Sequence, residues 1–259
     1  MALFKYPVPE KLIDENGLRI DKRKYNELRP ISFEVGVLPQ CDGSAYIEMG
    51  GNKIIAGVFG PRKVQPRHLA HPNKCVIRAL YRMATFSVEE RKSPAPSRRE
   101  VELSMVIRNS LEPAIFVEYY PKTLIDIVVQ VLAADGGTRC ASINAASLAL
   151  ADAGIALKDL VSAVAVGKVD GKIVLDLNDI EDKEGEADLP IAVMPQFNQF
   201  TLLQFDGNMT KEEFLNAINL GLEGIQIIYQ KQQDAIRAKF AYEYSNSGEL
   251  TEKNEREDE

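Results

Sequence analysis

Three stretches of this sequence combine residue types that can manage phosphate chemistry. In Ser93-Pro-Ala-Pro-Ser97-Arg98-Arg99-Glu100, Ser97 and Glu100 have the spacing of a capping box, so a helix is expected to begin there. Arg98 and Arg99 then occupy its first two positions, beside free N–H groups and the positive end of the helix dipole. Cations are disfavoured there unless an anion joins them, and the pair therefore reads as half of a phosphate site. The run Asp135-Gly136-Gly137-Thr138-Arg139 repeats the design: two glycines turn, and a helix starts with a hydroxyl and a guanidinium. Gly136 and Gly137 let the backbone approach an anion, while Thr138 and Arg139 add donors. The third stretch, Asp179 to Asp188, sets carboxylates on either side of Gly185. Hard oxygen ligands on a flexible loop suit Mg²⁺ or Mn²⁺ held jointly with substrate phosphates; the alternative is a solvated acidic loop.

The elements needed to position these groups can be read from periodicity. Residues 1–30, broken by Pro7, Pro9, Gly17 and Pro30, read as an irregular arm. Residues 31–38, 45–50 and 53–59 form a β-meander, and 76–86 a strand with Arg78 and Arg82 on one basic face. The helix from Ser97 fades near Pro113; a buried strand at 123–134 delivers the chain to Asp135, and an Ala- and Ser-rich helix spans 138–153. The second half repeats the order: strands at 162–169 and 172–177 around an Asp170-Gly171 turn, the acidic loop, strands near 189–194 and 200–205, and a long helix entered through the Thr210/Glu213 capping box. The expected organisation is an arm at 1–30, a domain at 31–244 with halves of about 31–154 and 155–244, and a disordered acidic tail at 245–259.

The net charge of −7 hides an uneven distribution. Residues 61–99 hold ten Lys and Arg against two Glu, whereas 176–188 hold seven acids against one Lys. A basic stretch able to meet a polyanion thus coexists with one able to hold a cation. The proline-stiffened loop at 60–75, carrying Arg62, Arg67, His68 and His71, reads as RNA-facing; two histidines without a third ligand make a poor metal site. Cys41, Cys75 and Cys140 are far apart and suit a reducing compartment. No apolar run reaches the roughly 18 residues of a membrane span, and no signal-peptide segment opens the chain, so a cytoplasmic protein without membrane contact is expected. There is no P-loop, GxGxxG or GxSxG motif.

Taken together, Pro-Ala-Pro-Ser97-Arg98-Arg99-Glu100, Ala134-Asp135-Gly136-Gly137-Thr138-Arg139, Leu150-Ala-Asp-Ala-Gly154-Ile, and Asp176 to Asp182 with Gly185-Glu-Ala-Asp188-Leu-Pro resemble the RNase PH family of phosphorolytic exoribonucleases. Within it they are most similar to the catalytic subunit of the archaeal exosome. The resemblance runs from about Leu18 to Phe240 and implies an α+β, RNase PH-like fold of the ribosomal protein S5 domain 2 type, with two similar halves. It implies a hexameric ring in which active subunits alternate with an inactive RNase PH-like paralogue, capped by S1- and KH-domain RNA-binding proteins. Arg99, Gly137, Thr138 and Arg139 would hold the attacking inorganic phosphate. Arg98, Arg62, Arg67 and His68 would contact single-stranded RNA. Asp182, as acid or metal ligand, with Asp188 beside it, would assist departure of the 3′-oxygen with Mg²⁺ or Mn²⁺. Two other readings share parts of this: a ring scaffold that binds RNA without cutting it, and a homohexameric tRNA-trimming RNase PH.

Overall fold

Two five-stranded sheets enclose one nearly all-buried helix, in a computed structural model that describes residues 11–14 and 17–257, with side chains as far as 241. The first sheet contains β1 (Ile31–Val35), β2 (Gly43–Met49), β3 (Asn52–Lys63), β4 (Val76–Met83) and β5 (Thr123–Ala133), in the order β1-β2-β3-β5-β4. All neighbours are antiparallel except β4 and β5, which run parallel because α1 (Arg98–Leu111) lies in the connection between them. Ser97 and Glu100 form the expected capping box, and Glu100 also accepts from the backbone N–H of Met83 at 3.0 Å, tying the start of α1 to the end of β4.

α2 (Thr138–Asp152) follows the Gly-Gly turn, and every residue from Cys140 to Leu150 is buried. Its Ala and Ser side chains leave little bulk, so it can lie against β2 and β3 on one side and β6 (Ser162–Val169) on the other. Asn144 in its middle exchanges two hydrogen bonds with the backbone of Ala163, at 2.7 and 2.9 Å, so the polar group is satisfied inside the core. The second sheet adds β7 (Lys172–Leu175), β8 (Ala187–Met194), β9 (Gln199–Leu203) and β10 (Asp206–Gly207), in the order β10-β8-β6-β7 with β9 also paired to β8. α4 (Lys211–Glu257) packs along β6, β7 and β8 and reaches β1.

The α+β architecture with two sheet-and-helix halves agrees with the expectation. Several local features differ. The acidic stretch is a short helix, α3 (Asp179–Glu184), because Asn178 and Glu181 form a capping box of their own. β3 continues past Gly60 to Lys63, so Arg62 lies on a strand end rather than in a loop. The basic face of β4 is neutralised: Arg78 forks onto Asp126, its register partner on β5, and Arg82 lies 3.7 Å from Glu100. α4 runs as helix through Glu257, across most of the segment expected to be disordered. Residues 1–10, 15, 16, 258 and 259, parts of the expected arm and tail, lie outside the described residues.

Candidate functional site

The start of α1, the Gly-Gly turn before α2, α3 and the start of β8 converge on one open cleft of about 600 Å³, lined among others by Arg99, Arg139, Asp182 and Asp188. A recess sharing these four residues adds Gly137 and Thr138. Six of the residues singled out from the sequence therefore meet, although they come from four separate elements.

Gly136 and Gly137 both adopt φ of +66°, the left-handed region that glycine enters without cost. At Gly136 space is equally decisive, since a Cβ there would lie 2.4 Å from the carbonyl carbon of Asn178. The Gly-Gly turn thus rests directly on the residue that caps α3. Thr138 is held by Tyr81, whose hydroxyl donates to Thr138 Oγ1 at 3.0 Å. Arg139 donates to Gln204 Oε1 at 2.6 Å, while its Nε is buried without a partner among the described residues. Arg98 and Arg99 are exposed at the start of α1, and neither forms an ion pair among the described residues. Such guanidinium groups have donors to spare for an incoming anion.

Asp182 and Asp188 are half-buried and face the same cleft. Burial pushes the Asp182 carboxyl above the usual carboxylate range, against the pull of Arg99, with Asp179 adding to the rise. Asp188 is pushed up to about 6, chiefly by burial and then by the Asp182 charge, with Arg139 opposing. Two carboxyl groups whose proton affinity is raised, that of Asp188 partly by the Asp182 charge, form beside arginines a place where a cation would replace a proton. Asp188 Oδ1 is buried with no hydrogen-bond partner among the described residues, so an oxygen ligand is ready for a hard cation. Among the described residues no cluster of three or more His, Cys, Asp or Glu makes a complete cage. A cation here would complete its shell with water and substrate phosphate oxygens, as Mg²⁺ commonly does.

The remaining residues singled out from the sequence lie elsewhere. Arg67 and His68 are exposed on a single 3₁₀ turn, and neither they nor Arg62 line the cleft. Arg62 pairs with Asp42 at 3.0 Å and its guanidinium stacks 4.8 Å from the Phe59 ring centre. Arg98 precedes Arg99 at the rim but is not part of the lining. Sequence reasoning overlooked Tyr81, Gln204, and the arginines of the arm, which carry no local motif. For α3 a signal was available, the Asn178-x-x-Glu181 capping pattern, masked by the density of charge around it.

Residues 27–156 match domain 1 of the 3′ exoribonuclease family, and residues 159–224 match its domain 2. Exosome complex component Rrp41 of Thermococcus kodakarensis is 59% identical over 230 residues, 89% of this chain and 92% of that protein. The protein of the same name from Nitrosopumilus maritimus is 49% identical over 92% of this chain and 96% of its own length. Among solved structures, rice Rrp46 superposes with a TM-score of 0.74 at 27% identity, over 83% of this chain and 98% of its own. An Archaeoglobus fulgidus exosome with RNA bound to the active site gives the same TM-score at 20% identity, covering 83% of this chain and 93% of that one, a likeness of fold. Two domain matches in order and relatives of such identity along nearly the whole chain leave one assignment: the chain belongs to the 3′ exoribonuclease family, the RNase PH family.

Proposed function

We propose that this protein is the catalytic, phosphate-dependent 3′-to-5′ exoribonuclease subunit of an archaeal-type exosome. The observation that carries the reading is the meeting of Arg99, Gly137, Thr138 and Arg139 with Asp182 and Asp188 around one cleft. Inorganic phosphate would sit against the first-turn N–H groups of α2, the Thr138 hydroxyl and the guanidinium groups of Arg99 and Arg139. Arg98 would hold the RNA backbone at the rim, and Arg62, Arg67 and His68 would guide the strand from further out.

Phosphoryl transfer asks for positioning and charge compensation rather than a nucleophilic side chain. The attack joins a phosphate oxygen to the last internucleotide phosphorus, and the bond to the 3′-oxygen of the preceding nucleotide breaks. A nucleoside diphosphate leaves, and the shortened RNA retains a 3′-hydroxyl. Arg99 and Arg139 offset the mutual repulsion of the two phosphates. Asp182 and Asp188 would hold Mg²⁺ or Mn²⁺, which when bound offsets charge developing on the departing oxygen. In the alternative role, with Asp188 holding the cation, the raised Asp182 carboxyl would instead supply the proton that this oxygen takes up. Because the anhydride product conserves much of the free energy, excess nucleoside diphosphate would drive RNA extension.

The ring assembly, with an inactive paralogue and S1/KH cap proteins, is part of the same proposal, and a cytoplasmic location goes with it. Val101 and Met105 on α1 are 62% and 52% exposed, beside the edge strand β9 with Phe200 and Leu203 at 41% and 46%. Such an apolar face is what a subunit contact would cover. The test is uniformly labelled RNA incubated with the chain and its partner, with and without inorganic phosphate, using Asp182→Asn as control. Diphosphates appearing only with phosphate and vanishing in the variant support the proposal; monophosphates without phosphate overturn it. RNA that is bound but uncut in every mixture would make the chain a scaffold.

A further inference from the structure

Outside the cleft, the molecule spends four buried charges on linking residues 19–29 to the second half. Arg19 and Arg29 are 3% and 5% exposed, and their partners Glu181 and Asp176 are each 1% exposed. Burying two ion pairs carries a desolvation cost that well-packed apolar residues would avoid, so their contribution has to be sought in geometry.

Arg19 spends its donors on α3 and the segment before it. Its Nε donates to Glu181 Oε1 at 2.8 Å and its Nη2 to Glu181 Oε2, while Nη1 and Nη2 reach the carbonyls of Leu175 and Asp176 at 2.5 and 2.7 Å. Glu181 Oε2 in turn accepts from the backbone N–H of Asn178, closing the capping box. α3 has six residues, too few to hold a helix by itself. The fork on Glu181 therefore fixes the orientation of the next residue, Asp182.

Arg29 makes a second row. Its Nε and Nη2 fork onto Asp176 at 2.9 and 2.7 Å; Nη2 also reaches the Gly136 carbonyl at 3.3 Å, and Nη1 the Asp135 carbonyl. Both rows end on Asp176, Arg19 on its carbonyl and Arg29 on its carboxylate. That residue is held at φ of +59°, an uncommon conformation for an L side chain.

We propose that residues 19–29 act as a strap that sets the distance between the phosphate cradle and the carboxylates, with Arg19 and Arg29 as separate positioning residues. Arg19, through Glu181, sets Asp182; Arg29, through Asp135 and Gly136, sets the cradle. This rests on the phosphorolytic reading of the cleft. Lys keeps the charge at either position but loses the fork.

The experiment compares Arg19→Lys, Glu181→Gln and Arg29→Lys in the assembled complex. It records kcat, KM for phosphate, RNA affinity, thermal midpoint, and direct binding of inorganic phosphate by calorimetry. Arg19→Lys and the nearly isosteric Glu181→Gln are expected to lower kcat about 10- to 100-fold with phosphate KM and RNA affinity within about twofold. Arg29→Lys is expected to weaken phosphate binding and raise its KM about 5- to 20-fold, with a smaller change in kcat. Losses that track only the folded fraction, or the same constants moving in all three variants, would overturn the proposal. If wild type proves phosphate-independent, the phosphorolytic reading falls. The kcat responses of Arg19→Lys and Glu181→Gln would still decide the strap's action on Asp182.

Discussion

The hydroxyl of Tyr81, on a side chain with no exposed surface, donates a 3.0 Å hydrogen bond to Thr138 Oγ1 at the first position of α2. Burial raises the phenol above its ordinary range, so it keeps its proton and remains the donor. The hydroxyl proton of Thr138 is thereby left for the phosphate that the proposed function places there. Tyr81→Phe removes one oxygen and is expected to raise the phosphate KM about 3- to 10-fold, at a stability cost of about 1 kcal/mol. In a Thr138→Val background the same change should have little further effect on KM, which a double-mutant cycle would show.

Asp188→Asn is expected to stabilise the protein while impairing it. The folded-state carboxyl sits at about 6 against an ordinary 3.8, so across that window the native state binds more protons than the unfolded chain. Stability therefore falls as pH rises between these values, and above them wild type carries the full cost of a buried charge. Thermal melts in chelator should show the variant more stable by about 1–3 kcal/mol at pH 8, with the gap closing below pH of about 4. A variant less stable than wild type at pH 8 would contradict this account.

Glu100 gives the opposite sign. Burial would raise its carboxyl, but bonds from the N–H groups of Ser97 and Met83 and from Lys92 prevail and hold it below its ordinary 4.5. Its contribution is present above that ordinary value and is lost as pH falls through the depressed one. Glu100→Gln should cost about 1.5–3 kcal/mol at pH 7 by chemical denaturation, and progressively less in acid.

Gly136→Ala and Gly154→Ala separate conformation from contact. Both positions have left-handed φ, +66° and +68°, but a Cβ at 136 would collide with the Asn178 backbone while one at 154 meets nothing within 4 Å. Gly154→Ala should cost about 1–2 kcal/mol and leave activity intact. Gly136→Ala should cost about 2–4 kcal/mol and push α3 away from the cradle, lowering activity at least about 100-fold. Activity measured at a temperature where both variants are folded distinguishes them.

Local signals carried much of this structure. Ser97 with Glu100, Thr210 with Glu213, and the glycines before Thr138 each announce a helix start through bonds spanning a few residues, and these starts are where the chain has them. What stayed hidden depends on distant partners. Arg78 and Arg82 look like a basic face until β5 and α1 supply Asp126 and Glu100. Arg19 looks like one more cation of a polar arm, because its partner Glu181 is 162 residues away. The carboxylates from Asp179 to Asp188 read as a loop since charge density conceals their sorting: Glu181 turns inward, Asp179 pairs with Lys183, and Asp182 faces the cleft.

That separation of 162 residues has a bearing on how the protein is made. A chain growing on the ribosome offers Arg19 and Arg29 long before Asp176 and Glu181 exist, so the first half can close its own sheet while the cleft stays unformed. Asp182 and Asp188 are therefore among the last residues of the cleft to be made. On the proposed reading of the cleft and the strap, competence to degrade RNA would come only once α3 has docked.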